Sequence, residues 1–116
     1  MNGYLDWRDF TGESPEKFHK STLWQGEYLT LGINCLEPGQ TQKAHAHSGS
    51  DKFYFVLEGR GLFILGEEER EVGSGSIVVA PAGIVHGMSN NGDSRLSVLV
   101  GISPPIKSKD PVTETK

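Results

Sequence analysis

The stretch Gly39-Gln-Thr-Gln-Lys-Ala-His45-Ala-His47-Ser-Gly-Ser-Asp-Lys-Phe-Tyr-Phe-Val-Leu-Glu-Gly59 decides how this chain is read. In a strand successive side chains point to opposite faces, so His45 and His47 project the same way, about 7 Å apart along the backbone. Two imidazoles so spaced can close on one metal ion, and a third can come from a neighbouring strand. Taken alone, such a pair reads as readily as a solvated strand face. A second stretch changes that balance. It runs Gly75-Ser-Ile-Val-Val-Ala-Pro81-Ala-Gly83-Ile-Val-His86-Gly-Met-Ser-Asn90, a strand-like apolar run closed by a Pro-Ala-Gly turn and followed by another histidine.

Together the two stretches resemble the paired motifs of the cupin superfamily. The first family motif runs Gly, five residues, His-x-His, three or four residues, Glu, six residues, Gly. The second runs Gly, five residues, Pro-x-Gly, two residues, His, three residues, Asn, and this chain matches it at every defined position. Both occur in the family's order, with a short segment between them. One position departs: counted back from Gly59, the family's Glu falls on Lys52, with Asp51 beside it. The resemblance implies a single-domain jelly-roll barrel, a double-stranded β-helix, with His45, His47 and His86 as metal ligands lining a cavity. It also implies a homodimer, for which Trp7, Phe10 and Trp24 are the candidate contacts, since aromatic anchors are enriched at interfaces.

Working outward, the residue pattern agrees with an all-β domain. Leu29, Leu31, Ile33 and Cys35 alternate with Thr30, Gly32 and Asn34 as in a half-buried strand. Glu37-Pro-Gly-Gln40 closes that strand with turn chemistry. Phe53 to Leu57 and Leu62 to Leu65 flank Glu58-Gly-Arg-Gly61, a hairpin signal, and Asn90-Asn-Gly-Asp93 carries another. The charged run Gly66 to Glu71 reads as a solvated turn and edge strand. Short strands with turns between them and almost no helical periodicity predict a sandwich or barrel. Residues 27–102 form the predicted barrel. Residues 1–26 are an N-terminal arm in which Ser14 caps a short helix opened by Pro15, and residues 103–116 are an extended or disordered tail.

Composition sets the outer limits. The chain has 116 residues, enough for one core but not two. A net charge of -4 without a basic cluster argues against nucleic acid as a partner. No apolar run approaches the roughly 20 residues of a membrane span, and no secretory signal opens the chain. The single cysteine, Cys35, cannot form an intrachain disulfide and reads as a buried thiol in a reducing compartment, so a cytoplasmic protein is expected. His19 stands alone and reads as a packing or surface residue.

Three neutral imidazoles suit Zn, Fe, Ni, Cu or Co, and an added carboxylate extends the list toward Mn. Two readings of the carboxylate position stay open. In one, Asp51 swings in as a fourth ligand; Phe53, Phe55 and Leu57 share its parity and form the greasier face. In the other, Lys52 faces the cavity beside Tyr54 and Val56, as the spacing from Gly59 favours. An ammonium about 5 Å from a divalent ion would be repelled by roughly 6–7 kcal/mol at an effective dielectric of 20. Lys52 and Tyr54 would then contact a substrate, which Lys52 would favour as an anion. The expected activity is that of a metal-dependent enzyme, a dioxygenase, isomerase or lyase, on a small oxygenated molecule. The alternatives are a non-catalytic module that binds or senses a small molecule or metal, and a barrel with a degenerate site that serves a protein contact.

Overall fold

The computed structural model describes residues 3–106 and 112–114. A four-residue 3-10 helix, Trp7–Phe10, opens the described chain. The strands are β1 (His19–Gln25), β2 (Thr30–Leu36), β3 (Thr41–His47), β4 (Asp51–Glu58), β5 (Arg60–Leu65), β6 (Glu68–Gly73), β7 (Ile77–Ala80), β8 (His86–Ser89), β9 (Leu96–Ser103) and β10 (Val112–Glu114). They build two five-stranded sheets, in the orders β1-β2-β9-β4-β7 and β10-β3-β8-β5-β6. Every pairing is antiparallel. From β2 onward the chain repeatedly steps from one sheet to the other, which makes the fold an all-β jelly roll, a double-stranded β-helix.

The core lies between the sheets. Leu36, Tyr54, Val56, Leu96, Val98 and Val100 come from the first sheet, and Phe63 and Met88 come from the second. In β4 the buried set is Lys52, Tyr54 and Val56, whereas Phe53, Phe55 and Leu57 are only half-buried on the opposite face. The greasier parity of β4 is therefore the outer one. Its ring positions still have a use there, because Phe53 lies across Gly101 of β9, where a Cβ would come within 2.0 Å of the ring.

Sequence reasoning misplaced two hairpins and a helix. The chain does turn at Glu58-Gly59-Arg60, but β4 and β5 belong to different sheets, so the turn is a corner between layers. Asn90 to Asp93 likewise joins β8 of one sheet to β9 of the other. Turn chemistry marks a reversal without saying whether the flanking strands pair. The short helix forms at Trp7–Phe10, where the Asp6 carboxylate accepts the Arg8 backbone N–H; residues 15–17 only bend. Within the segment read as an arm, β1 pairs with β2, and within the segment read as a tail, β10 pairs with β3. The charged run forms the turn and edge strand β6, paired only with β5 among the described residues.

Two features make the corner at Gly59 possible. Leu57 is an extra residue opposite β9, a bulge that adds twist just before the turn. Gly59 itself has φ +82°, and a Cβ there would lie 2.2 Å from the Arg95 carbonyl oxygen. Gly75 also has positive φ, at +90°, but open space around it. A left-handed φ alone costs an L-residue about 1–2 kcal/mol. Urea denaturation should therefore show Gly75→Ala losing about that much, and Gly59→Ala losing more than about 3 kcal/mol or failing to fold. Equal losses at the two positions would contradict a closed corner at Gly59.

Candidate metal centre

The site is built on the pairing of β3 with β8. Gln42 pairs with Met88, yet His45 pairs with His86, so β3 carries one residue more than β8 between these points. Strict alternation would put Ala44 and Ala46 on the face that Gln42 occupies. The bulge reverses that parity and turns His45 and His47 inward instead. Gly87 makes room for it, because a Cβ there would meet the backbone of Ala44 at 2.9 Å and the Gln42 carbonyl oxygen at 3.0 Å. Neither Gln42 nor Gly87 stands out in the pattern of the sequence. The signal available was the Gly beside His86, which only the bulged register explains.

The Pro81-Ala82-Gly83 turn is tied down by its own N–H groups. Gly83 donates to the His47 carbonyl at 2.7 Å, and Ala82 donates to the Asp51 carboxylate at 2.8 Å. These bonds bring the segment leading into β8 against the end of β3. Asn90, at the far end of β8, is buried; its side-chain amide donates to the Leu36 and Ser94 carbonyls, each at 2.8 Å. The defined Pro-x-Gly and Asn positions thus hold β8 in place at both ends.

The result is a cluster of His45, His47 and His86 whose candidate ligand nitrogens all lie within 4.8 Å of one another. His47 and His86 are buried and His45 is half-buried. Their ring centroids are 4.5–6.0 Å apart. The Nδ1 of His45 lies 2.8 Å from the Lys43 carbonyl, and that of His86 lies 2.9 Å from the Ile84 carbonyl. A carbonyl only accepts, so each Nδ1 carries the proton and each Nε2 keeps its lone pair. Burial holds the His86 imidazole down to about 4, so it is neutral at pH 7. Its Nε2 is buried and has no hydrogen-bond partner among the described residues. Neutral imidazoles with oriented lone pairs, backed by hydrogen bonds at the other nitrogen, are the donor set a transition metal takes. The residues fit such an ion.

Asp51 and Lys52 take different places. Asp51 is exposed, with its carboxylate on the Ala82 N–H, and it is not part of the histidine cluster. Lys52 is 6% exposed, on the inner face. Its Nζ lies 3.4 Å from the Tyr54 hydroxyl, and the Tyr54 ring lies 5.9 Å from that of His86. Burial raises the Tyr54 hydroxyl, against a smaller opposite pull from Gln42, and keeps it protonated. His19 stands apart, with its Nε2 3.1 Å from the Phe10 carbonyl. A separate cleft of about 180 Å³ opens along β6 and β7, lined by Phe63, Val72 and Val78 among others, and includes none of the histidines.

Burial, with a smaller push from Lys20, lowers the Lys52 amine from 10.5 to about 8. Below pH 8 both folded and unfolded chains hold this proton, and the folded chain bears the full cost of a desolvated cation. Between pH 8 and 10.5 the unfolded chain binds more protons, so stability rises with pH and the penalty disappears. Lys52→Met should therefore be more stable than wild type by about 3 kcal/mol at pH 7. Denaturation at a series of pH values should show this gap closing between pH 8 and 10.5; a gap independent of pH would contradict the buried cation.

A family model described as "Cupin domain" matches residues 32–102. An uncharacterized protein of Streptomyces coelicolor is 39% identical over 79 residues, 66% of this chain and 71% of that protein. The crystal structure of TT1209 from Thermus thermophilus superposes with a TM-score of 0.84 at 39% identity, covering 87% of this chain and 96% of that one. An oxalate-binding protein of Thermotoga maritima is 28% identical over 67 residues, 58% of this chain and 55% of its own length. The jelly roll, the two motifs and these matches lead to one conclusion: the chain belongs to the cupin family.

Proposed function

We propose that His45, His47 and His86 hold one divalent transition metal (Fe, Mn, Ni, Cu, Co or Zn) and that the protein is a metal-dependent enzyme acting on a small oxygenated organic molecule. The reaction class is that of a dioxygenase, isomerase or lyase. The observation that carries this reading is the convergence of three imidazole nitrogens within 4.8 Å on the inner side of the barrel. A metal held by these three histidines would supply Lewis-acid polarisation of a substrate oxygen.

The chain's own residues set the conditions for that chemistry. The Lys43 and Ile84 carbonyls fix the His45 and His86 rings in one tautomer. Neutral His86 adds no positive charge of its own to the ion. In this reading Tyr54 keeps its hydroxyl proton and donates it to substrate, while Lys52 stands at the family's carboxylate position. Asp51 has its carboxylate engaged with the Ala82 N–H, so three histidines are the minimal ligand set. The reading includes a homodimer in the cytoplasm. For the dimer, Ile77 and Val79 of edge strand β7, 63% and 54% exposed, offer an apolar face beside Phe53 and Phe55.

A second reading, a module that binds or senses a small molecule without turning it over, is favoured by Lys52. An ammonium where the family carries a carboxylate weakens the hold on a divalent ion, and the Thermotoga relative is named for binding oxalate. Metal content of untagged protein, read by inductively coupled plasma mass spectrometry, separates the two. The enzyme reading expects about one transition metal per chain, lost in His86→Ala and held more tightly in Lys52→Glu. Wild type empty with Lys52→Glu filled would favour the binding module, and both empty would end the metal reading.

A further inference from the structure

Lys52 is a buried cation whose charge nothing among the described residues neutralises. It is 6% exposed, and no described carboxylate lies within ion-pair distance of it. One of its three N–H groups points to the Tyr54 hydroxyl at 3.4 Å. Its backbone position is set firmly, because Lys52 pairs with Ala80 on one side and Ile102 on the other, in the first sheet. Leaving such a charge unpaired costs several kcal/mol, and a fold under no functional demand would place an apolar residue there. Neighbouring Asp51 does not supply the missing charge, since its carboxylate is on the outer side, at Ala82.

The surroundings are rich in donors. The Tyr54 hydroxyl proton and the remaining ammonium N–H groups have no acceptor among the described contacts. Gln42, buried and placed beside Tyr54, contributes a carboxamide whose Oε1 has no hydrogen-bond partner among the described residues. This set holds one positive charge, several donors and one free acceptor. That pattern complements a group bearing one negative charge on two oxygens and, next to it, a hydroxyl able to donate.

We infer that the ligand of this site is a small carboxylic acid, its carboxylate held by the Lys52 ammonium and the Tyr54 hydroxyl. An α-hydroxyl on such an acid would donate to Gln42 Oε1. The Tyr54 ring lies 5.9 Å from that of His86, so an acid held here would sit beside the histidines, and in that respect the inference rests on the metal reading; the ion pair with Lys52 does not. A phosphate would be matched poorly, because Lys52 is the one buried cation here among the described residues and no cradle of backbone N–H groups surrounds it among the described contacts.

The test uses glycolate, its neutral isostere glycolamide and inorganic phosphate, titrated into 15N-labelled protein and followed by NMR. Both chelator-treated protein and protein with metal restored are titrated, and the metal content of each sample is measured. Glycolate should bind at least about tenfold more tightly than glycolamide or phosphate. Lys52→Met should weaken glycolate at least about tenfold, with glycolamide unchanged, in both metal states. Lys52→Met binding glycolate as wild type does, glycolamide equalling glycolate, or phosphate outcompeting both would overturn the proposal. The absence of glycolate binding in wild type would overturn it as well. The metal measurement separates the two ideas: an empty site in wild type counts against the metal reading, while the chelated titration still decides on Lys52.

Discussion

Between Gln42 and His45, strand β3 carries one residue more than β8 opposite it, and the orientation of the histidines depends on that extra residue. In a regular ladder the face occupied by Gln42 would also receive Ala44 and Ala46, and both histidines of the His-Ala-His pair would point away from the core. The slip brings His45 directly opposite His86 and puts the three rings on the side where Tyr54 packs. Gly87 allows the bulge to close, since any side chain there would press on the backbone of Ala44 and Gln42. The turn at Gly83, bonded to the His47 carbonyl, fixes the approach of β8 to the same strand. Backbone hydrogen bonding thus determines the site before any side-chain chemistry begins.

The electrostatics follow from placement. The His86 imidazole remains neutral because burial penalises its charged form, and backbone carbonyls choose which nitrogen of His45 and His86 presents its lone pair. Lys52 meets the opposite condition, a charge kept in a poorly solvated place with only a phenol beside it among the described contacts. Stability is given up at Lys52 and kept by the apolar cluster around Val56, Leu96 and Val98. A local violation of burial rules in an otherwise consistent fold points to a site that binds something.

Much of this was legible in the sequence. The spacing of Gly39, His45, His47 and Gly59, followed by that of Gly75, Pro81, Gly83, His86 and Asn90, carried the fold and the three-histidine grouping. Alternation located most strands. It could not say which strands pair, because Glu58 to Gly61 and Asn90 to Asp93 have the turn chemistry of hairpins and serve as corners between sheets. Nor did hydrophobicity identify the inner face of β4. Phe53 and Phe55 are larger and more apolar than Lys52, yet they cover the outside of the sheet, where Phe53 lies over Gly101. The spacing from Gly59 was the better guide to Lys52, since it counts backbone positions and the register follows the backbone. The bulge in β3 was out of reach of periodicity, because one inserted residue breaks the pattern on which periodicity depends.

The proposed metal centre consists of these three imidazoles and no side-chain carboxylate. X-ray absorption at the K-edge of the metal bound by the wild-type protein tests it most directly, since imidazole rings give a distinctive multiple-scattering signature that can be counted. Three imidazoles per metal are expected, with the spectrum unchanged in Asp51→Asn. A spectrum showing one imidazole or none, or one that loses an oxygen scatterer in Asp51→Asn, would contradict it.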